Sequence, residues 1–110
     1  MNRYQILIEY EGTLYNGWQI QKKGKSIQEN IEIVLSKLLK EKIKIYGSGR
    51  TDTGVHAKEQ SAHFDTTNKI IQKDKLLNSL NFFLNKKKIS ILKIKKKNKL
   101  FHSRYSAKER

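Results

Sequence analysis

Apolar residues along this chain change their spacing from two to about 3.6 and back, and the order of those changes leaves few folds open. Tyr4, Ile6, Ile8 and Tyr10 alternate with Gln5, Leu7, Glu9 and Glu11, the pattern of a strand with one buried face, and Gly12 ends it. Ser26 and Glu29 then form an S-x-x-E capping box, which satisfies free N–H groups where a helix begins. Behind it, Ile27, Ile31, Val34, Leu35, Leu38 and Leu39 make one apolar stripe, so a helix is expected to run to about Glu41. Residues 43–46 read as a short strand and 57–65 as another, with Ala62 and Phe64 on one face. Asp74 is an acceptable N-cap for a second helix whose stripe is Leu76, Leu77, Leu80, Phe83 and Leu84. Residues 89–94 read as a fourth strand. A lysine-rich turn (Lys95, Lys96, Lys97, Lys99) and a further strand over 100–105 are expected after it.

Strand, helix, strand, strand, helix, strand is the order of the α+β, ferredoxin-like β-α-β-β-α-β unit, an antiparallel sheet with two helices on one face. A length of 110 residues fits one domain, and 36% hydrophobic residues suffice for one modest core. The chain has no proline, so its turns rely on Gly, Asn and Asp. No repeat or linker interrupts it. The stretch from Gly12 to Lys25 is longer than most connections, and such stretches are often functional. It holds the lone Trp18, for which packing onto the domain is the expected role.

Charge narrows the partners. The 24 Lys and Arg against 10 Asp and Glu leave +14, of which residues 1–55 carry +3 and residues 56–110 carry +11. From Lys86 onward Glu109 is the one acid among eleven bases. Such density favours a polyanion, nucleic acid before an anionic membrane, although a lysine-rich composition accounts for part of it. The absence of cysteine excludes disulfides, thiolate metal sites and cysteine nucleophiles. His56, His63 and His102 form no tight cluster with carboxylates, so no metal site is expected. His63 reads as an ordinary alternating strand residue. No apolar run approaches the roughly 20 residues of a membrane helix, and the N-terminus lacks a signal-peptide core. A soluble, cytoplasmic protein is expected.

The segment Gly47-Ser48-Gly49-Arg50-Thr51-Asp52-Thr53-Gly54 carries the chemistry. Its three glycines let another backbone approach closely. Arg50 can hold Asp52 ionised or grip a phosphate, and an ionised carboxylate can serve as nucleophile or base. An aspartate in a turn can equally bond its own backbone, with a neighbouring arginine as a surface pair. Residue chemistry alone favours that ordinary role. The segment matches neither G-x-G-x-x-G nor a P-loop, and the chain has no G-x-S-x-G elbow.

The residues Gly49-Arg50-Thr51-Asp52-Thr53-Gly54-Val55-His56-Ala57 resemble the signature of the tRNA pseudouridine synthase A family. Three further stretches agree in order and spacing: Glu9-Tyr10-Glu11-Gly12 with Gly17-Trp18-Gln19, Ser26-Ile27-Gln28-Glu29, and Phe101-His102-Ser103-Arg104-Tyr105-Ser106-Ala107. The resemblance covers essentially the whole chain and reverses the odds on Asp52. It implies an isomerase that converts uridine to pseudouridine in the anticodon stem–loop of tRNA, as a homodimer without metal or organic cofactor. Asp52 maps to the catalytic aspartate, acting on the uracil or ribose carbon or removing a ribose proton. Arg50 maps to the arginine that pairs with it and helps hold a flipped-out nucleotide. His56 and Arg104 are assigned with Arg50 to substrate or RNA contact.

The chain also departs from that family. The family's active-site tyrosine and its second domain of similar fold are expected beyond Arg110, so residues 1–110 read as the N-terminal, aspartate-bearing domain. Leu84-Asn85 stands where relatives often have Leu-Pro, and a looser connection is expected there. A plain RNA-binding module on a ferredoxin-like sheet is the competing reading. It expects the aromatic K/R-G-F/Y-G/A-F-V-x-F/Y motif, which Lys58-Glu59-Gln60-Ser61-Ala62-His63-Phe64 does not match. A ribosome-associated basic protein would explain the lysines but not the Arg50–Asp52 segment.

Overall fold

The computed structural model describes residues 1–11, 26–47, 57–98 and 100. In chain order they form β1 (Asn2–Glu11), α1 (Ile27–Leu39), β2 (Ile45–Gly47), β3 (Ala57–Thr66), α2 (Lys73–Leu84), a 3-10 turn (Asn85–Lys87) and β4 (Ile89–Lys97). The four strands make one antiparallel sheet in the order β2-β3-β1-β4. This is the expected α+β ferredoxin-like arrangement.

Period-two alternation sorts the central strand. Tyr4, Ile6, Ile8 and Tyr10 are buried on the helix side, where register brings them beside Phe64 and Ala62 of β3 and Ile94, Ile91 and Ile89 of β4. Ile27, Ile31 and Leu35 of α1, with Leu80 and Leu84 of α2, close the same core. Each fully buried side chain of this size contributes about 1.5–3 kcal/mol. The Tyr4 ring stacks on Phe64 at 5.8 Å between centroids, and its hydroxyl accepts the Ile70 N–H at 2.8 Å. That bond ties the connection before α2 to the sheet centre.

α1 begins as its capping box predicts. Ser26 is extended (φ −67°, ψ 169°). Its Oγ accepts the Glu29 N–H at 3.1 Å, and Glu29 Oε1 accepts the Ser26 N–H at 3.2 Å. Lys40 ends the helix in the left-handed region at φ 54°, two positions short of the expected end counted from the last helical residue, Leu39. Glu41 then accepts from the Thr66 hydroxyl at 2.6 Å and from the Thr67 and Asn68 N–H donors, fastening the end of α1 to the end of β3. These bonds, the Thr66 hydroxyl first, hold the Glu41 carboxyl below its ordinary pKa.

Several expectations needed correction. α2 is capped by Gln72, with no side-chain cap bond, and Asp74 lies inside the first turn, where its charge meets the positive end of the helix dipole. Phe83 is more than a third exposed rather than part of the core stripe. Lys95, Lys96 and Lys97 do not form a turn, because β4 continues through them opposite Gln5, Tyr4 and Arg3. A register shift between Leu7 and Ile8 inserts one extra β4 residue, so the buried isoleucines run Ile89, Ile91, Ile94. Leu100 is an exposed turn residue, and the rest of the expected 100–105 strand lies outside the described residues. The connection after Leu84 is a tight 3-10 turn closed by Lys88 at φ 63°. No helix among the described residues is long and apolar enough to cross a membrane.

Candidate active site

The two strands that flank the signature segment in sequence, β2 and β3, are neighbours in the sheet. β1 and β2 both run antiparallel to β3 and therefore point the same way. β1 stops at Glu11, opposite Ala57, the first residue of β3. At the same end Tyr10 pairs with Ile89, the first residue of β4, and the Glu11 N–H donates to the Lys88 carbonyl at 3.2 Å. In sequence, residues 12–25 follow Glu11 and residues 48–56 precede Ala57, and Glu11 and Ala57 pair with each other. Two stretches far apart in sequence, each carrying part of the family pattern, are thus anchored on adjacent backbone.

The strand that enters the signature is held at its outer edge by α1. Glu32 Oε2 accepts the Ile45 N–H at 2.9 Å, and Gln28 Nε2 donates to the Ile45 carbonyl at 3.3 Å. Gln28 also donates to Glu32 at 3.2 Å. Among the described residues β2 pairs with β3 alone, so these side chains serve the backbone of its other edge. They fix β2 two residues before Gly47. An i, i+4 polar pair beside the apolar stripe of α1 was the available signal, and sequence reasoning missed it.

On the face away from the helices, Tyr46 stacks on His63 at 5.2 Å between centroids and 25° between planes. His63 is the alternating strand residue expected of it, and its ring contact was not foreseen. Beside this pair Gln5 Nε2 donates to Ser61 Oγ at 2.8 Å. Arg3 grips Asp65 with two bonds of 2.8 and 2.9 Å. The hydrogen bond from Arg3 leads the causes that hold the Asp65 carboxyl below its ordinary value, and the same bond raises the guanidinium. Lys93, Lys95 and Lys97 follow on this face opposite Leu7, Gln5 and Arg3, so it is polar and predominantly basic.

Asp52, Arg50 and His56 belong to residues 48–56, and Arg104 to residues 101–110; all four lie outside the described residues, as does Trp18. The described residues supply the two ends of the signature segment, Gly47 and Ala57, and the strands that set their direction. Among the described residues no group of three or more His, Cys, Asp or Glu is placed to hold a metal ion.

Comparison with known proteins identifies the family. The model of the family described as tRNA pseudouridine synthase matches residues 6–106. A protein named tRNA pseudouridine synthase A from Pelagibacter ubique is 63% identical over 110 residues, covering 100% of this chain and 45% of the relative. Proteins of the same name from Neorickettsia sennetsu and Borrelia garinii are 46% and 48% identical, over 96% and 100% of this chain and 43% and 44% of their own lengths. The chain therefore spans less than half the length of these relatives. With the ferredoxin-like sheet and a family match from Ile6 to Ser106, the chain belongs to the tRNA pseudouridine synthase family.

Proposed function

We propose that residues 1–110 form the N-terminal, aspartate-bearing domain of a tRNA pseudouridine synthase that isomerises uridine in the anticodon stem–loop. The observation that carries this reading is the family match over residues 6–106, which contains the whole segment Gly49-Arg50-Thr51-Asp52-Thr53-Gly54-Val55-His56-Ala57. The relatives' name supports the reaction, and the charge of +14 suits a polyanionic substrate.

The chemistry has three parts. The bond from uracil N1 to ribose C1′ breaks, the base turns, and a bond forms between uracil C5 and C1′. The hydrogen that C5 carried leaves as a proton, and N1 gains one. Electrons balance without an oxidant or reductant, so Asp52 can open the sequence with a carboxylate alone, as nucleophile or as base. Arg50, two residues away, keeps that carboxylate ionised and helps hold the nucleotide out of its stack. His56 and Arg104 contact the RNA. A second domain of similar fold completes the cleft and supplies the family's tyrosine, and the whole acts as a cytoplasmic homodimer.

Tritium at uracil C5 reports the reaction, because forming the C5–C1′ bond sends it to solvent. Asp52→Asn, in a protein that includes the second domain, is expected to abolish tritium release from 5-tritiated uridine in tRNA while tRNA binding persists. Release at the wild-type rate would overturn the proposal.

A further inference from the structure

Lys75, Ser79, Phe82 and Lys86 succeed one another at helical spacing along α2 and the 3-10 turn that follows it. Phe82 is 69% exposed. Its ring meets Phe83 edge-on, with centroids 5.1 Å apart, and Lys86 Nζ stands 5.7 Å from its centroid. Lys75, Asn78, Ser79, Phe82 and Phe83 line an open groove together with Leu38 of α1. The core takes Leu80 and Leu84 from α2, so the fold does not need Phe82 buried.

The composition of the groove selects its occupant. Lysines stand at both ends of the stripe, about 16 Å apart along the helix axis, and an amide and a hydroxyl lie between them. Asp74 is the one acid of α2, against Lys73 and Lys75 in the helix and Lys86, Lys87 and Lys88 just after it. A greasy protein segment would offer no anion to Lys75 and Lys86. An exposed aromatic ring between cations suits a single-stranded nucleic acid, which offers a base face and flanking phosphates.

We infer that the outer stripe of α2 is an RNA-contacting site separate from the Asp52 segment, where an unpaired base stacks on Phe82 and its phosphates meet Lys75 and Lys86. It extends the proposed RNA substrate to a second surface and does not depend on the catalytic role of Asp52.

The test is binding of the full chain to a fluorescently labelled oligouridine of eight nucleotides, read by anisotropy over a range of salt. Phe82→Ala should weaken binding about tenfold, as expected for a lost stacked base, and leave the salt slope unchanged. Lys75→Gln with Lys86→Gln should lower the slope by about 1.4, close to 0.7 for each phosphate contact. Phe82→Trp should add emission, beyond that of Trp18, that the oligonucleotide quenches. Circular dichroism and sedimentation check that each variant keeps its fold and mass. Unchanged affinity in Phe82→Ala would overturn the inference, even if the lysine pair mattered, because that is phosphate attraction without a base site. Altered sedimentation of Phe82→Ala with unchanged RNA affinity would overturn it in favour of a contact between copies. Tritium release reads the Asp52 chemistry and oligonucleotide anisotropy of Phe82→Ala reads the α2 stripe, so failure of this site and failure of the catalytic proposal give different results.

Discussion

Glu32→Ala should cut β2 loose from α1. Ile45 is only 1% exposed, and its N–H has the Glu32 carboxylate at 2.9 Å as its acceptor. A hydrogen bond to a charged group contributes about 1.5–3 kcal/mol, and stranding a buried donor costs a similar amount. A loss of about 2 kcal/mol allows for partial rescue by water. With a urea m-value of about 1.5 kcal/mol/M for a chain of this size, the unfolding midpoint should fall by about 1.3 M. Urea titration followed by circular dichroism measures it. Glu32→Gln keeps a carbonyl oxygen for the Ile45 N–H and should lose less than half as much. A midpoint for Glu32→Ala within about 0.3 M of wild type would refute the idea that α1 holds the outer edge of β2.

Ser26→Ala removes the acceptor of the Glu29 N–H and should cost about 1 kcal/mol in the same titration, as caps of this type do. Stability should also fall in acid. Asp65 and Glu41 have folded pKa values below their ordinary 3.8 and 4.5, so the unfolded chain takes up these protons first. Their contribution is complete above those ordinary values and is lost as pH falls through the lower folded ones. Asp65→Asn should flatten part of that acid dependence in thermal melts at graded pH, and an unaltered profile would rule out the Arg3–Asp65 pair as its source.

Sequence patterns revealed the parts of the fold whose cause is local. Tyr4 to Tyr10 alternate and pack as one face, and the Ser26–Glu29 box sets the start of α1, because adjacent residues hold all the information. The start of α2 was misplaced because Gln72 caps it with no side-chain bond, leaving Asp74 as the better sequence signal. Lys95 to Lys97 read as a turn by composition. They form strand because β1 offers Gln5, Tyr4 and Arg3 as partners, a long-range fact invisible in a lysine run. The same holds for the Gln28–Glu32 grip on Ile45 and the Tyr46–His63 stack, which join residues seventeen positions apart or close to it. At the candidate site, residue chemistry favoured a turn role for Asp52, and the family resemblance made it the expected catalyst. Asp52 itself lies outside the described residues, which supply only the flanking Gly47 and Ala57.

Single-turnover tritium release from 5-tritiated uridine in tRNA, comparing wild type with Asp52→Asn in a protein carrying both domains, measures whether Asp52 performs the isomerisation. The expected rate for the variant is below about one thousandth of wild type, with tRNA still bound, since the loss falls on the chemical step and not on affinity. Release by Asp52→Asn at a rate close to wild type would contradict the assignment of Asp52 as the catalytic residue.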